Sequence, residues 1–355
     1  MIFLTRSHLP LLFIYCQAAF GFCAQSSTFQ SIDSLIQAGI ESSIIHDYES
    51  AANIFKNIIE QDAESPQGYF FMAAMLQSQM IDFETDQWEK EFYSFIDLTI
   101  NKADAAIQNK SSERPAAQFY KGSAFLYLGF ADGRKGEYLS AIKHSLIGIS
   151  ILKQLAENHP DFYDVNFGIG SYNYWRSRMT RLINWLPLIS DARQSGIQMV
   201  QQATEKGKFT RYAALNELIW ILIDAGKPVE AFGYAQQGLE KFPQSRFFLW
   251  GAAKSACAYH NYYSAILYFN QILESLLVEN YNNHFNEFIC RLNLIHCYFA
   301  TSNLSEAKKQ IAILKALHID PKIQKKLNKQ KKRLEQFERK LILETTSKTH
   351  DAGGR

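Results

Sequence analysis

Proline is scarce in this chain, with eight in 355 residues. A fold of many short strands and turns would need more such breaks, and long stretches of helical periodicity point the same way, to an all-α protein. Cysteine is scarce too. Beyond the first 24 residues only Cys257, Cys290 and Cys297 remain. Cys290 and Cys297 stand too far apart on one predicted helix to bond to each other, and an odd number of thiols excludes a disulfide framework. They read as small buried apolar side chains.

Catalytic signatures are missing as well. No Gly-x4-Gly-Lys-Ser/Thr loop, Gly-x-Ser-x-Gly elbow, His-Glu-x2-His pair or Cys-x2-Cys pair occurs. Gly168-Ile169-Gly170-Ser171 is not a nucleotide loop, because no strand precedes it and no third Gly follows. His284, Cys290, His296 and Cys297 lie close in sequence, but the adjacent His296 and Cys297 point apart on a helix, which disfavours a metal site. The expectation is a non-enzymatic protein with no cofactor and no metal.

The N-terminus is of another kind. Residues 1–24 carry one basic residue, Arg6, no acid, and an apolar run from Leu9 to Phe22 broken only by Pro10 and Gln17. This is too short for a membrane-spanning helix and fits a secretory signal peptide. Export to the periplasm or cell envelope is expected. Cys23 raises lipid anchoring as a lesser reading, since Phe22 is bulky where a lipobox needs Gly or Ala; an uncleaved anchor is the third. No later apolar stretch reaches spanning length.

What the chain does have is a repeat. Arg211 to Pro243 reads as two antiparallel helices, the first striped by Leu215, Leu218, Ile219 and Leu222, the second by Ala231, Ala235 and Leu239. Gly226 and Pro228 end one and start the next. Ala231 falls where the two axes cross and a large side chain would hold them apart. So short a hairpin cannot bury its stripe alone and needs neighbours built alike. Ala231 to Ala265 is 34 positions, and Ala265 to Ala307 is 42, the same step plus the insertion VENYNNHF. Ala51, Ala141 and Ala231 are each 90 apart, two steps plus inserted residues.

The surroundings of each Ala recur: Gly39…Ala51…Phe55, Leu128-Gly129…Gly136-Glu137-Tyr138…Ala141, Gly251…Ala265…Phe269 and Leu294…Tyr298…Ala307…Ile311. These residues resemble the W-x2-L-G-x2-Y…A-x3-F…P pattern of tetratricopeptide repeat (TPR) proteins, across residues 30–318, without the opening Trp. The resemblance implies a TPR-like α-solenoid of about six to seven hairpins over residues 25–318. It also implies a concave groove lined by the first helix of each hairpin. On this chain Asn216, Trp220, Phe248, Ser255, His296 and Phe299 project onto that groove.

Asp320-Pro321 starts a further helix. Ile323, Leu327, Gln330, Leu334, Phe337 and Leu341 form a heptad stripe, so residues 319–344 read as a capping helix, followed by a disordered tail over 345–355. Lys308 to Lys340 holds twelve Lys and Arg against Asp320, Glu335 and Glu338. A solvated face is the plain account; peripheral contact with an anionic membrane is the other, and no nucleic-acid partner is expected.

The least ordinary segment follows Phe162. Gly168 and Gly170 inside a helical pattern cost stability unless another backbone packs there. Tyr172, Tyr174, Trp175, Arg176, Arg178 and Arg181 come next, then the apolar Leu182–Ile189 with Trp185. This group either docks a partner or plugs the array. The function expected is a non-catalytic envelope scaffold that binds another polypeptide along its concave face, with Tyr172, Trp175, Arg176, Arg178, Arg181 and Trp185 as further contacts. The alternative is a ligand-binding accessory protein with a pocket around residues 172–189.

Overall fold

The computed structural model describes residues 31–109, 113–180 and 191–352, with side chains to 344. Residues 1–24, where a signal peptide is expected, and Arg181 and Trp185 lie outside the described residues. From Ile32 onward the described chain is one compact unit. It holds sixteen helices and no strand among the described residues.

Fourteen of the helices pair in sequence into seven hairpins: α1 (Ile32–Ile44) with α2 (Tyr48–Gln61), α3 (Gln67–Phe83) with α4 (Glu89–Gln108), and α5 (Arg114–Lys135) with α6 (Tyr138–Asn158). Then come α7 (Val165–Met179) with α8 (Arg193–Lys206), α9 (Arg211–Asp224) with α10 (Pro228–Lys241), α11 (Arg246–Ala258) with α12 (Tyr262–Leu277), and α13 (Phe285–Ala300) with α14 (Leu304–Ala316). Two further helices, α15 (Pro321–Lys326) and α16 (Asn328–Ala352), close the array. The fold is an all-α, TPR-like solenoid.

The repeat has a backbone basis. Ala51, Ala141, Ala231, Ala265 and Ala307 are each the fourth residue of their helix. Five positions before each stands a residue in the left-handed region: His46 (φ 68°), Gly136 (84°), Gly226 (76°), His260 (66°) and Ser302 (59°). The residue after it can cap the new helix. Asp47, Asn261 and Asn303 do so, accepting from the amides of Ser50, Ser264 and Glu306. Ala51, Ala231, Ala265 and Ala307 are fully buried at the helix crossings, whereas Ala141 is only half-buried.

On α8 the fourth residue is Gly196, and its partner is Gly170 of α7. A Cβ on either would lie 2.7 Å from the other's carbonyl oxygen. The two backbones therefore touch, which is the condition under which a mid-helix glycine is worth its cost.

Helix α5 runs through Lys135, with the buried Asp132 carboxylate taken up by His144 Nδ1 at 2.7 Å and Gly136 alone making the turn. Two local readings change. The capping helix is two helices, broken at the fully buried Leu327. Its second part continues through the expected tail to Ala352.

The first hairpins also come back against the later ones. Ser245 Oγ donates to the Ile44 carbonyl (2.6 Å), Asn286 Nδ2 to that of Asp82 (2.7 Å) and Asn283 Nδ2 to that of Phe83 (2.8 Å). Lys326 Nζ reaches Glu84 at 3.5 Å. The C-terminal end of α3 thus bridges the concave side.

Candidate functional site

A cavity of about 490 Å³ lies under that bridge, against the inner faces of α9, α11 and α13. Helical spacing builds its walls. On α9, Asn216 and Trp220 are one turn apart; on α11, Phe247, Trp250 and Lys254 recur at helical intervals; α13 adds Phe285 and Ile289. Ile81 enters from α3 and Gln330 from α16.

The bridge is held by a charged cluster at one edge of the cavity. Arg246 Nε donates to Asp82 Oδ1 at 2.9 Å and Nη2 to Oδ2 at 2.5 Å, and Nη2 also lies 3.3 Å from Glu279. His46 Nε2 accepts from the Arg246 amide at 2.8 Å, so its proton sits on Nδ1, 3.2 Å from Asp82 Oδ2. Tyr48 OH donates to the same carboxylate at 3.2 Å. Burial alone would raise the Asp82 pKa, but His46 and Arg246 outweigh it and hold the carboxyl well below its ordinary range. Burial, with Asp82 beside it, pushes the Tyr48 phenol up. Glu84 is also taken, by Arg134 and Lys326.

Lys254, at the other edge, has no such counterpart. Its ammonium donates to Asn293 Oδ1 at 2.9 Å and stands 6.0 Å from the Phe269 ring centre. No carboxylate among the described residues is within ion-pair distance of it. Burial pushes its pKa down; an ionised Cys257 would oppose that shift, and the charge of Arg333 adds to it. Two buried polar atoms on the same cavity, Asn216 Oδ1 and Gln330 Oε1, have no hydrogen-bond partner.

The six groove residues projected from the sequence fall in three places. Asn216 and Trp220 line the cavity. Phe248 and Ser255 are fully buried between helices, because the α11 inner face is Phe247, Trp250 and Lys254, one residue out of step with the projection. His296 and Phe299 face α16: Phe299 stacks on Phe337 with centroids 5.4 Å apart, and His296 meets the same ring at 6.3 Å.

The α7 group is spent within the array. Trp175 Nε1 donates to Glu217 Oε1 at 2.5 Å, and Arg178 Nε and Tyr174 OH both donate to Asp224 Oδ2 at 2.8 Å. Arg176 lies 5.9 Å over the Tyr172 ring. Burial raises the Glu217 pKa against the Trp175 bond. Asp82, Arg246, Trp250 and Lys254 escaped the sequence reading. The only available signal was the recurrence of Phe247, Trp250 and Lys254 on one helical face.

A second surface stands out on α5 and α6. Tyr138, Ile142 and Leu146 form an i, i+4, i+8 stripe on α6, with Leu139 beside it. They are 71%, 58%, 54% and 86% exposed. On α5, Phe130 is exposed at the same level, next to Gly129, which packs on Ala141 and Ser145. Among the described residues no helix is long and apolar enough to cross a membrane, and no three metal-ligating side chains cluster.

No protein-family model matches the chain, and no curated protein is similar enough to count as a relative. Solved helical-repeat structures do overlap with it. PilW, a type IV pilus biogenesis factor, gives a TM-score of 0.45 at 16% identity, covering 68% of this chain and 94% of its own. The C-terminal part of a TPR repeat-containing protein from Cytophaga hutchinsonii gives 0.42 at 14%, covering 82% and 99%. A thermophilic TPR protein from Thermus thermophilus gives 0.40 at 13%, covering 64% and 98%. At these scores nothing about function passes from them to this chain.

Proposed function

We propose that the protein is a non-catalytic scaffold of the cell envelope that docks a partner polypeptide on the apolar face of α5 and α6. The envelope setting rests on the signal-like N-terminal sequence. The supporting observation for docking is the contiguous run of Tyr138, Leu139, Ile142 and Leu146, more than half exposed. Water penalises such a patch on a free protein, and a covering helix with its own apolar stripe would remove that penalty. This moves the docking surface away from the concave side, where α3 crosses the groove and obstructs a chain laid along it.

A photo-crosslinking residue at Leu139 tests this in cells, with one at Lys153, on the exposed end of the same helix, as control. A discrete polypeptide adduct from position 139, abolished by Ile142→Asp with the fold intact by circular dichroism, is the expected result. Equal adducts from both positions, or an adduct that survives Ile142→Asp, would overturn the assignment.

A further inference from the structure

We propose that the concave chamber is a binding site for a small amphipathic organic acid, whose carboxylate meets Lys254 and whose apolar body lies against Trp220 and Trp250. This is separate from the docking face on α6 and does not depend on it.

Charge selects the ligand class. The acids on the chamber are already used, Asp82 by Arg246 and His46, Glu84 by Arg134 and Lys326. The ammonium of Lys254 is left with one neutral partner, the Asn293 amide. A partly buried cation with no carboxylate beside it is costly, and an entering carboxylate removes that cost while gaining a charge-assisted hydrogen bond. The amides of Asn216 and Gln330, whose oxygens have no partner among the described residues, fit the same group. A half-turn of either presents its N–H2 rather than its oxygen, and the two orientations are equivalent in shape.

Walls and size select the rest. Trp220, Trp250, Phe247 and Phe285 offer aromatic surface on the α9, α11 and α13 sides. A volume of about 490 Å³ is in the range of small-molecule pockets, roughly 300–1,000 Å³. The α3 bridge and its Asp82–Arg246 fork close the side along which a polypeptide would have to continue, so a discrete molecule fits where a through-running chain does not.

The full chain is titrated with 1-pyrenebutyrate and with its neutral analogue 1-pyrenebutanol, reading energy transfer from tryptophan to pyrene. The acid should bind more tightly than the alcohol by about tenfold or more, the size of one charge-assisted hydrogen bond. Lys254→Met should abolish that preference and leave alcohol binding unchanged, while Lys254→Arg keeps it. Trp250→Ala should weaken both ligands. Asn216→Leu, which leaves Lys254 in place, should weaken the acid selectively and gives the same test should Lys254→Met fail to fold. Equal affinity for acid and alcohol, no binding of either, or an acid preference that survives Lys254→Met would overturn the site. A short peptide with a free C-terminal carboxylate that binds as tightly as 1-pyrenebutyrate would overturn the small-molecule assignment.

Discussion

The guanidinium of Arg246 and the carboxylate of Asp82 meet in a two-bond fork, 2.9 Å and 2.5 Å, although 164 residues separate them in the chain. Their side chains are 4% and 10% exposed. Neither hairpin predicts this contact. It ties the second unit of the array to the sixth and fixes the roof of the chamber. Asp82→Asn leaves Arg246 buried with only the longer contact to Glu279, and should cost about 3–5 kcal/mol in urea unfolding at neutral pH. The pKa of Asp82 is lower folded than unfolded. Its contribution is therefore complete above about pH 4 and is lost as pH falls through the folded value. The acid limb of the native protein should accordingly be steeper than that of Asp82→Asn.

Two glycines should respond in opposite directions to the same change. Gly196→Ala gains about 1 kcal/mol of helix propensity. Its new methyl would, however, stand 2.7 Å from the Gly170 carbonyl and 2.9 Å from the Tyr174 amide. A net loss of about 1–3 kcal/mol is expected. Gly233→Ala on α10 meets nothing within 4 Å, and should raise stability by about 0.5–1 kcal/mol. Thermal unfolding of the pair separates backbone contact from propensity.

The left-handed turn residues give a third test. Ser302 holds φ 59° and Gly226 holds φ 76°. A side chain in this region costs about 1–2 kcal/mol, offset in part by the greater freedom of glycine when unfolded. Ser302→Gly should stabilise slightly and Gly226→Ala should destabilise by about 1 kcal/mol. Midpoint shifts of opposite sign with no change in denaturant slope would show that the folded turn is responsible.

Glu217 gives a fourth. Burial raises its pKa, so ionisation disfavours the folded state, and that penalty grows as pH rises from the unfolded value toward the folded one. Glu217→Gln keeps an oxygen for Trp175 Nε1 and removes the charge. The variant should match the native protein in mild acid and exceed it in stability at pH 8. A gap that is constant with pH would count against burial as the cause.

Much of the array was legible because its determinants are local. Ala231, Ala265 and Ala307 mark helix crossings within single hairpins, Asp47 and Asp320 cap the helices they precede, and Ile323, Leu327 and Leu334 face the preceding hairpin at one period. The candidate site was legible only in part. Asn216 and Trp220 were placed on the chamber. A one-residue error in the face of α11 put Phe248 and Ser255 there instead of Phe247 and Lys254, since one step turns a side chain by about 100° around the axis. His296 and Phe299 carry the right period for a groove, but the capping helix takes that surface.

The chain by itself determined that short helices would pair, turn and stack, because caps, turn residues and apolar stripes act over a few positions. Only the tertiary structure decided that α3 crosses the concave side, that Asp82 finds Arg246, and that Lys254 is left without an acid beside it. Those outcomes depend on the small rotation between successive hairpins accumulated over several units. No single stretch of sequence encodes that sum.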